Sequence, residues 1–177
     1  MAHRRPPAAD IRFAAFVKAK PEDVYRSLTS ARELCVWWLD RAETDARNTG
    51  RVRMVWPARK ATKDARRQRG QEVSGVFVDL DPGRKVAWML DEGSRAEGVP
   101  PLVSLFIEKA PRGSQVTLIH AGFPGAASKA KLRDRYRQSW EDCVAKLKLY
   151  LDQGKLCKED VLTLADVELL RRAGRRR

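Results

Sequence analysis

KLRDRYRQSWEDCVAKLKLYL, residues 131–151, is the longest regular pattern in the chain and decides its architecture. Leu132, Tyr136, Trp140, Cys143, Leu147 and Leu151 recur at three- and four-residue spacing, which lays one continuous apolar stripe along an α-helix. Arg133, Arg135, Arg137, Lys146 and Lys148 fall on the other side and are assigned to solvent. Gly154 stands where a helix can end in the left-handed conformation. So long a stripe needs a broad apolar partner, and the residues ahead of it read as a sheet.

Working back from the helix, residues 102–108 and 115–121 form a pair of strands around Pro111-Arg112-Gly113. Residues 72–80 (EVSGVFVDL) and 85–90 (KVAWML) form a hairpin around Asp81-Pro82-Gly83. Val52, Met54 and Trp56 alternate with Arg51 and Arg53. Near the start, Ile11, Phe13, Ala15 and Val17 alternate with Arg12 and Lys18, which makes 10–18 a half-buried strand. Two short helices follow it. Pro21 sits at a first turn with Glu22 and Asp23, while Val24, Tyr25 and Leu28 give that helix its apolar face. Ser30 and Glu33 fit a capping box that opens the second, which runs into Trp37-Trp38. The order predicts an α+β helix-grip fold: a curved antiparallel β-sheet wrapped round a long C-terminal helix, with two short helices after the first strand. The expected organisation is a flexible basic arm over 1–9, the helix-grip domain over 10–153, and a basic extension over 154–177. In the extension, 158–172 reads as a short helix with Glu159 and Asp160 at its start and Arg171 and Arg172 at its end, followed by a mobile tail.

Composition narrows the function. The 177 residues carry 36 Lys plus Arg against 23 Asp plus Glu, a formal net charge of +13, and 43% are hydrophobic. That suits one folded domain with a tail and excludes a wholly disordered chain. No apolar run approaches the ~18 residues of a membrane span, and the N-terminal stretch lacks a leader-type apolar core. Cys35, Cys143 and Cys157 are widely spaced and read as reduced thiols of a cytoplasmic protein. With His3 and His120 as the two histidines, no multi-histidine metal centre can form. The chain has no G-x-S-x-G, no Walker-type phosphate loop and no G-x-G-x-x-G, so the readings include no metal and no cofactor.

Four local patterns carry a family resemblance. They are Ala19-Lys20-Pro21-Glu22-Asp23-Val24-Tyr25 with Leu28-Thr29; the pair Trp37-Trp38; Gly75-Val76 through Asp81-Pro82 and on to Trp88; and Val116-Thr117-Leu118 with His120-Ala121-Gly122-Phe123, leading into the long helix. In this order and spacing, over residues 10–153, the chain resembles the START-like (SRPBCC) superfamily. Within it, the similar branch is the C-terminal domain of the activator of heat-shock-protein-90 ATPase. The basic insertion at 59–69 and the stretch after Gly154 depart from that pattern. The resemblance implies an apolar cavity between sheet and long helix. It leaves the activity open, since the same fold serves carriers, cyclases, receptors and chaperone regulators.

The candidates for the cavity lining are Trp38, Met54, Trp56, Trp88, Phe106, His120, Phe123, Tyr136 and Trp140. The same residues also fit a filled core. His120 shares strand parity with Val116 and Leu118. It could orient a ligand or act as acid/base, or simply be held by a buried hydrogen bond. Arg59, Lys60, Lys63, Arg66, Arg67 and Arg69 form a basic patch, and Lys129, Lys131, Arg133, Arg135 and Arg137 open the long helix. Both groups would attract anionic surfaces, including nucleic acid without sequence preference. The leading expectation is a non-catalytic protein that encloses a hydrophobic small molecule. The alternatives are a chaperone-regulating or self-associating interaction module, a basic nucleic-acid-associated protein, and a cyclase- or hydrolase-type enzyme using His120.

Overall fold

The computed structural model describes residues 10–58, 70–91, 98–123, 125 and 130–174. The arm over 1–9, the patch at Arg59, Lys60, Lys63, Arg66, Arg67 and Arg69, Lys129, and the arginines of the tail lie outside the described residues.

Seven strands make one antiparallel sheet: β1 (Ile11–Val17), β2 (Arg41–Thr44), β3 (Arg51–Val55), β4 (Glu72–Asp81), β5 (Lys85–Leu90), β6 (Leu102–Ala110) and β7 (Gly113–His120). Their order across the sheet is β1-β7-β6-β5-β4-β3-β2. Helices α1 (Pro21–Thr29) and α2 (Ala31–Trp37) carry the chain from one edge, β1, to the other, β2. Helix α3 (Ala130–Gln153) and a shorter α4 (Leu164–Gly174) close the chain. This is the expected α+β helix-grip architecture, with one strand more than the sequence revealed. Arg41–Thr44 is short, lies at an edge and is only half-buried on alternate residues, so it shows no hydrophobic alternation to read.

Alternation places the core on one face. Ile11, Phe13, Ala15 and Val17 of β1 point inward beside Val116, Leu118 and His120 of β7, with Ile11 paired to His120 and Phe13 to Leu118. Val103, Leu105 and Ile107 of β6 and Val86, Trp88 and Leu90 of β5 continue the same face. The turn chemistry holds at Gly83, whose φ of 74° is readily reached only without a side chain. In the β6–β7 turn the left-handed residue is Arg112, at φ 65°. Gly113 is needed there for another reason: a Cβ on it would run into the Val17 carbonyl and the Phe16 ring.

The helix starts follow the sequence signals. Pro21 occupies the first turn of α1, and the Ser30 hydroxyl accepts from Glu33 N–H at 3.5 Å. The Glu33 carboxylate takes a longer-range partner, accepting from the Tyr150 hydroxyl of α3 at 2.9 Å. Helix α3 lies across the inner face and is tied to β1 at its far end. Lys148 Nζ donates to Phe16 O at 2.6 Å, and Lys18 N–H to Asp152 Oδ1 at 2.7 Å.

One side of α3 departs from the expectation. Lys146 was assigned to solvent, yet it is buried, as are Asp142, Ala145 and Leu149. Leu162 and Val167 pack on Ala145 and Leu149 as a second small core. The chain after Gly154 therefore covers what would otherwise be the wet face of the helix. Its helix also begins later than the charges at Glu159 and Asp160 suggest. The Thr163 hydroxyl accepts from Asp166 N–H at 3.2 Å, while Asp166 Oδ2 accepts from Thr163 N–H and from its hydroxyl, both at 2.8 Å. That pairing caps α4 at Leu164.

Candidate functional site

Between β3, β4, the middle of α3 and the chain that follows it lies a cleft of about 390 Å³. Its apolar wall comes from Trp38, Met54, Trp56, Val73, Tyr136 and Trp140. Trp38 sits at the end of α2, where its ring stacks on Trp37 at 5.4 Å and meets Trp56 edge-on at 5.2 Å. Trp37 is itself pinned, with its indole N–H donated to Ser27 O at 3.0 Å. Trp140 completes the row, with its ring centroid 6.3 Å from Trp38 and 6.0 Å from Trp88.

Five of the nine sequence candidates thus meet at this cleft: Trp38, Met54, Trp56, Tyr136 and Trp140. The other four do not line it. Trp88, His120 and Phe123 lie behind the wall in the closed core. Phe106 is a correction. Strand β6 turns Val103, Leu105 and Ile107 inward, so parity sends Phe106 to the outer face, where Lys85 Nζ lies 5.3 Å from its ring centre.

His120 is fully buried, and its two ring nitrogens are both engaged by the protein. Trp140 Nε1–H donates to Nδ1 at 2.8 Å. Nδ1 must therefore be unprotonated, so Nε2 carries the proton and donates to Pro100 O at 2.6 Å. Burial pushes the imidazole pKa below its ordinary value, opposed by the Pro100 carbonyl. Phe123 and Tyr136 pack edge-on to the ring at 4.7 and 5.7 Å. This is a neutral histidine that fixes the rotamer of Trp140 from behind.

Part of the cleft lining is polar, from residues that are not among the sequence candidates. Asp142 and Lys146 of α3 form an ion pair at 2.8 Å. Each also holds the chain that follows the helix: Asp142 Oδ1 accepts from Leu162 N–H at 2.7 Å, and Lys146 Nζ donates to Lys158 O at 3.1 Å. Lys158 in turn donates to Cys35 O at 2.9 Å, one of the open carbonyls at the end of α2. As a result Lys158, Glu159, Asp160 and Val161 join Gln71 and Arg135 in lining the cleft. The available signal was the i,i+4 spacing of Asp142 and Lys146, which on most helices marks a solvated face. Of the basic group that opens α3, Arg133 lies 3.9 Å from Asp134, and Arg137 stacks over the Phe13 ring at 5.4 Å. Among the described residues, no group of three or more His, Cys, Asp or Glu could hold a metal ion, and no helix is long and apolar enough to cross a membrane.

A curved seven-stranded sheet gripping one long helix, with an aromatic cleft between them, defines a START-like domain. Residues 18–152 match the family described as activator of Hsp90 ATPase homolog 1-like protein, and the chain belongs to that family. Solved structures agree on the fold. The Aha1 dimer from Colwellia psychrerythraea superposes with a TM-score of 0.63 at 19% identity, covering 83% of this chain and 98% of that one. SSP2350 from Staphylococcus saprophyticus gives 0.65 at 13% identity over 86% and 98%. CalU16 from Micromonospora echinospora gives 0.59 at 18% identity over 95% and 88%. No curated protein matches the chain.

Proposed function

We propose that this protein binds a hydrophobic small molecule in the cleft between sheet and long helix, and that it does so without catalysis. The observation that carries the reading is the cleft itself. At about 390 Å³ it falls within the ~300–1,000 Å³ range of ligand pockets, and three tryptophans stand in its wall. Each 100 Å² of apolar ligand surface withdrawn from water contributes about 2.5 kcal/mol before the costs of association. The non-catalytic part rests on His120, whose two nitrogens are occupied by Trp140 and Pro100.

The test is native mass spectrometry of the protein purified through high salt, together with titration by a neutral hydrophobic dye. Val73→Phe fills the cleft from β4. It should abolish dye binding and any co-purified small-molecule mass while leaving the melting temperature within a few degrees. Unchanged dye affinity in a folded Val73→Phe protein would remove the cleft as the site.

The family match favours a second reading, a protein-interaction module acting on an Hsp90-type ATPase or on a second copy of itself. The similar Colwellia protein was solved as a dimer. Sedimentation velocity and the ATP turnover of an added Hsp90 test this reading. A monomer with no effect on turnover would eliminate it.

A further inference from the structure

The chain beyond residue 152 lies outside the span matched to the family, yet Lys158, Glu159, Asp160 and Val161 line the cleft. Two features set this stretch apart from the domain it borders. From Gly154 to Thr163 it has no helix or strand, and side chains fasten it. Asp142 Oδ1 accepts from Leu162 N–H, Lys146 Nζ donates to Lys158 O, and Lys158 Nζ donates to Cys35 O. Its apolar contacts also form a cluster of their own. Leu162 and Val167 pack with Ala145 and Leu149, whereas the buried residues of the main core end at Leu147. Among the described residues after Gly154, only the half-buried Leu164 reaches that main core. Releasing the segment would thus open the small cluster and leave the main core closed, which is the condition for a unit that opens on its own. Gly154 provides the pivot: its φ is 62°, and nothing lies within 4 Å of where a Cβ would stand.

The latch and the lining share residues, because Asp142 and Lys146 fasten the segment and themselves border the cleft. Resting on the ligand-binding reading above, we propose that the chain from Gly154 to Gly174 docks and undocks as a unit, and that a hydrophobic ligand in the cleft holds it docked. Undocking removes Lys158, Glu159, Asp160 and Val161 from the lining and breaks the contacts on the Asp142–Lys146 pair. A ligand loses part of its surroundings whenever the segment leaves. By linkage it favours the docked state by the same factor by which docking favours the ligand. The chain after α3 is then the part of the protein that responds to a filled cleft.

Amide hydrogen exchange in the full chain, read residue by residue by NMR, tests this. The Leu162 N–H, held on Asp142, reports undocking, while Val116 and Leu118 of β7 report opening of the main core. Corrected for intrinsic rates, Leu162 should exchange at least about tenfold faster than the two β7 amides, and low urea should accelerate it less than them. Saturating N-phenyl-1-naphthylamine, an uncharged hydrophobic probe, should slow Leu162 by about 5–150-fold, the usual range of coupling between two sites. Equal protection and equal urea slopes at Leu162 and in β7 would overturn the independent unit. A Leu162 rate unchanged or raised by bound probe would overturn the coupling. If fluorescence titration shows that the probe does not bind, it is the ligand-binding reading that fails, and the coupling falls with it.

Discussion

Replacing His120 with Leu tests the account of the core behind the cleft. The substitution conserves volume roughly but removes both hydrogen bonds of the ring. Trp140 Nε1–H, donated at 2.8 Å, is left buried with no acceptor, which costs about 1–3 kcal/mol. Pro100 O loses its 2.6 Å donor but is only half-buried, so its share is about 1 kcal/mol or less. The expected loss is about 1–4 kcal/mol, or roughly 2–16 °C of melting temperature in a domain of this size. Urea unfolding followed by far-ultraviolet circular dichroism measures it. Trp140→Phe alone should also destabilise, because it orphans Nδ1 and leaves space. In His120→Leu/Trp140→Phe the two orphans disappear together, so the double variant should cost about 1–3 kcal/mol less than the sum of the singles. Additivity within ~0.5 kcal/mol would refute the claim that the pair acts as a unit.

The same residue predicts a pH dependence. Burial lowers the folded-state pKa of His120 below the ordinary 6.5, so the unfolded chain binds the proton more readily. Stability should therefore be full above 6.5 and decline as pH falls below it towards the depressed folded value. In His120→Leu that part of the slope should vanish. Equal slopes in the two proteins between about pH 6.5 and 5.5 would show that His120 does not stay neutral in the fold.

Three further outcomes are expected. Lys146→Met leaves the Asp142 carboxylate buried without its cation and should cost about 3–5 kcal/mol, with earlier proteolytic cleavage after Gly154; a loss under ~1 kcal/mol would mean that the pair does not hold this segment. Phe106→Ser, on the outer face, should leave dye affinity unchanged while costing about 1 kcal/mol or less, and a binding defect would contradict its placement. In alkylation at pH 8, Cys35 and Cys157 should react in the native protein, whereas Cys143 should react only on unfolding, since burial both shields its thiol and pushes its pKa well up.

Much of the architecture was legible because it is written in local periods. The stripe from Leu132 to Leu151 and the alternations at Ile11, Val86 and Val116 each require only neighbouring residues, and Pro21, Ser30, Gly83 and Gly154 punctuate them. Side-chain parity put His120 on the face of Val116 and Leu118, and that face is the buried one. Strand parity could also have excluded Phe106, since it stands one residue out of step with Leu105 and Ile107.

What no local period contains is the second cover on α3. Asp142 and Lys146 have the spacing of a solvated ion pair, and only the return of Leu162 and Val167 across Ala145 and Leu149 turns that face into a core. The lining of the cleft arises in the same way, because Lys158, Glu159 and Asp160 border the same space as Trp38 and Trp56 from more than a hundred residues further along the chain. The sequence by itself determined the elements, their order and the inward faces, since these depend on which residues sit two, three or four positions apart. The tertiary structure decided which tryptophans border the cleft, that His120 is sealed behind it, and that the chain after Gly154 joins its lining. Those depend on contacts between distant segments, whose free energy no short stretch encodes.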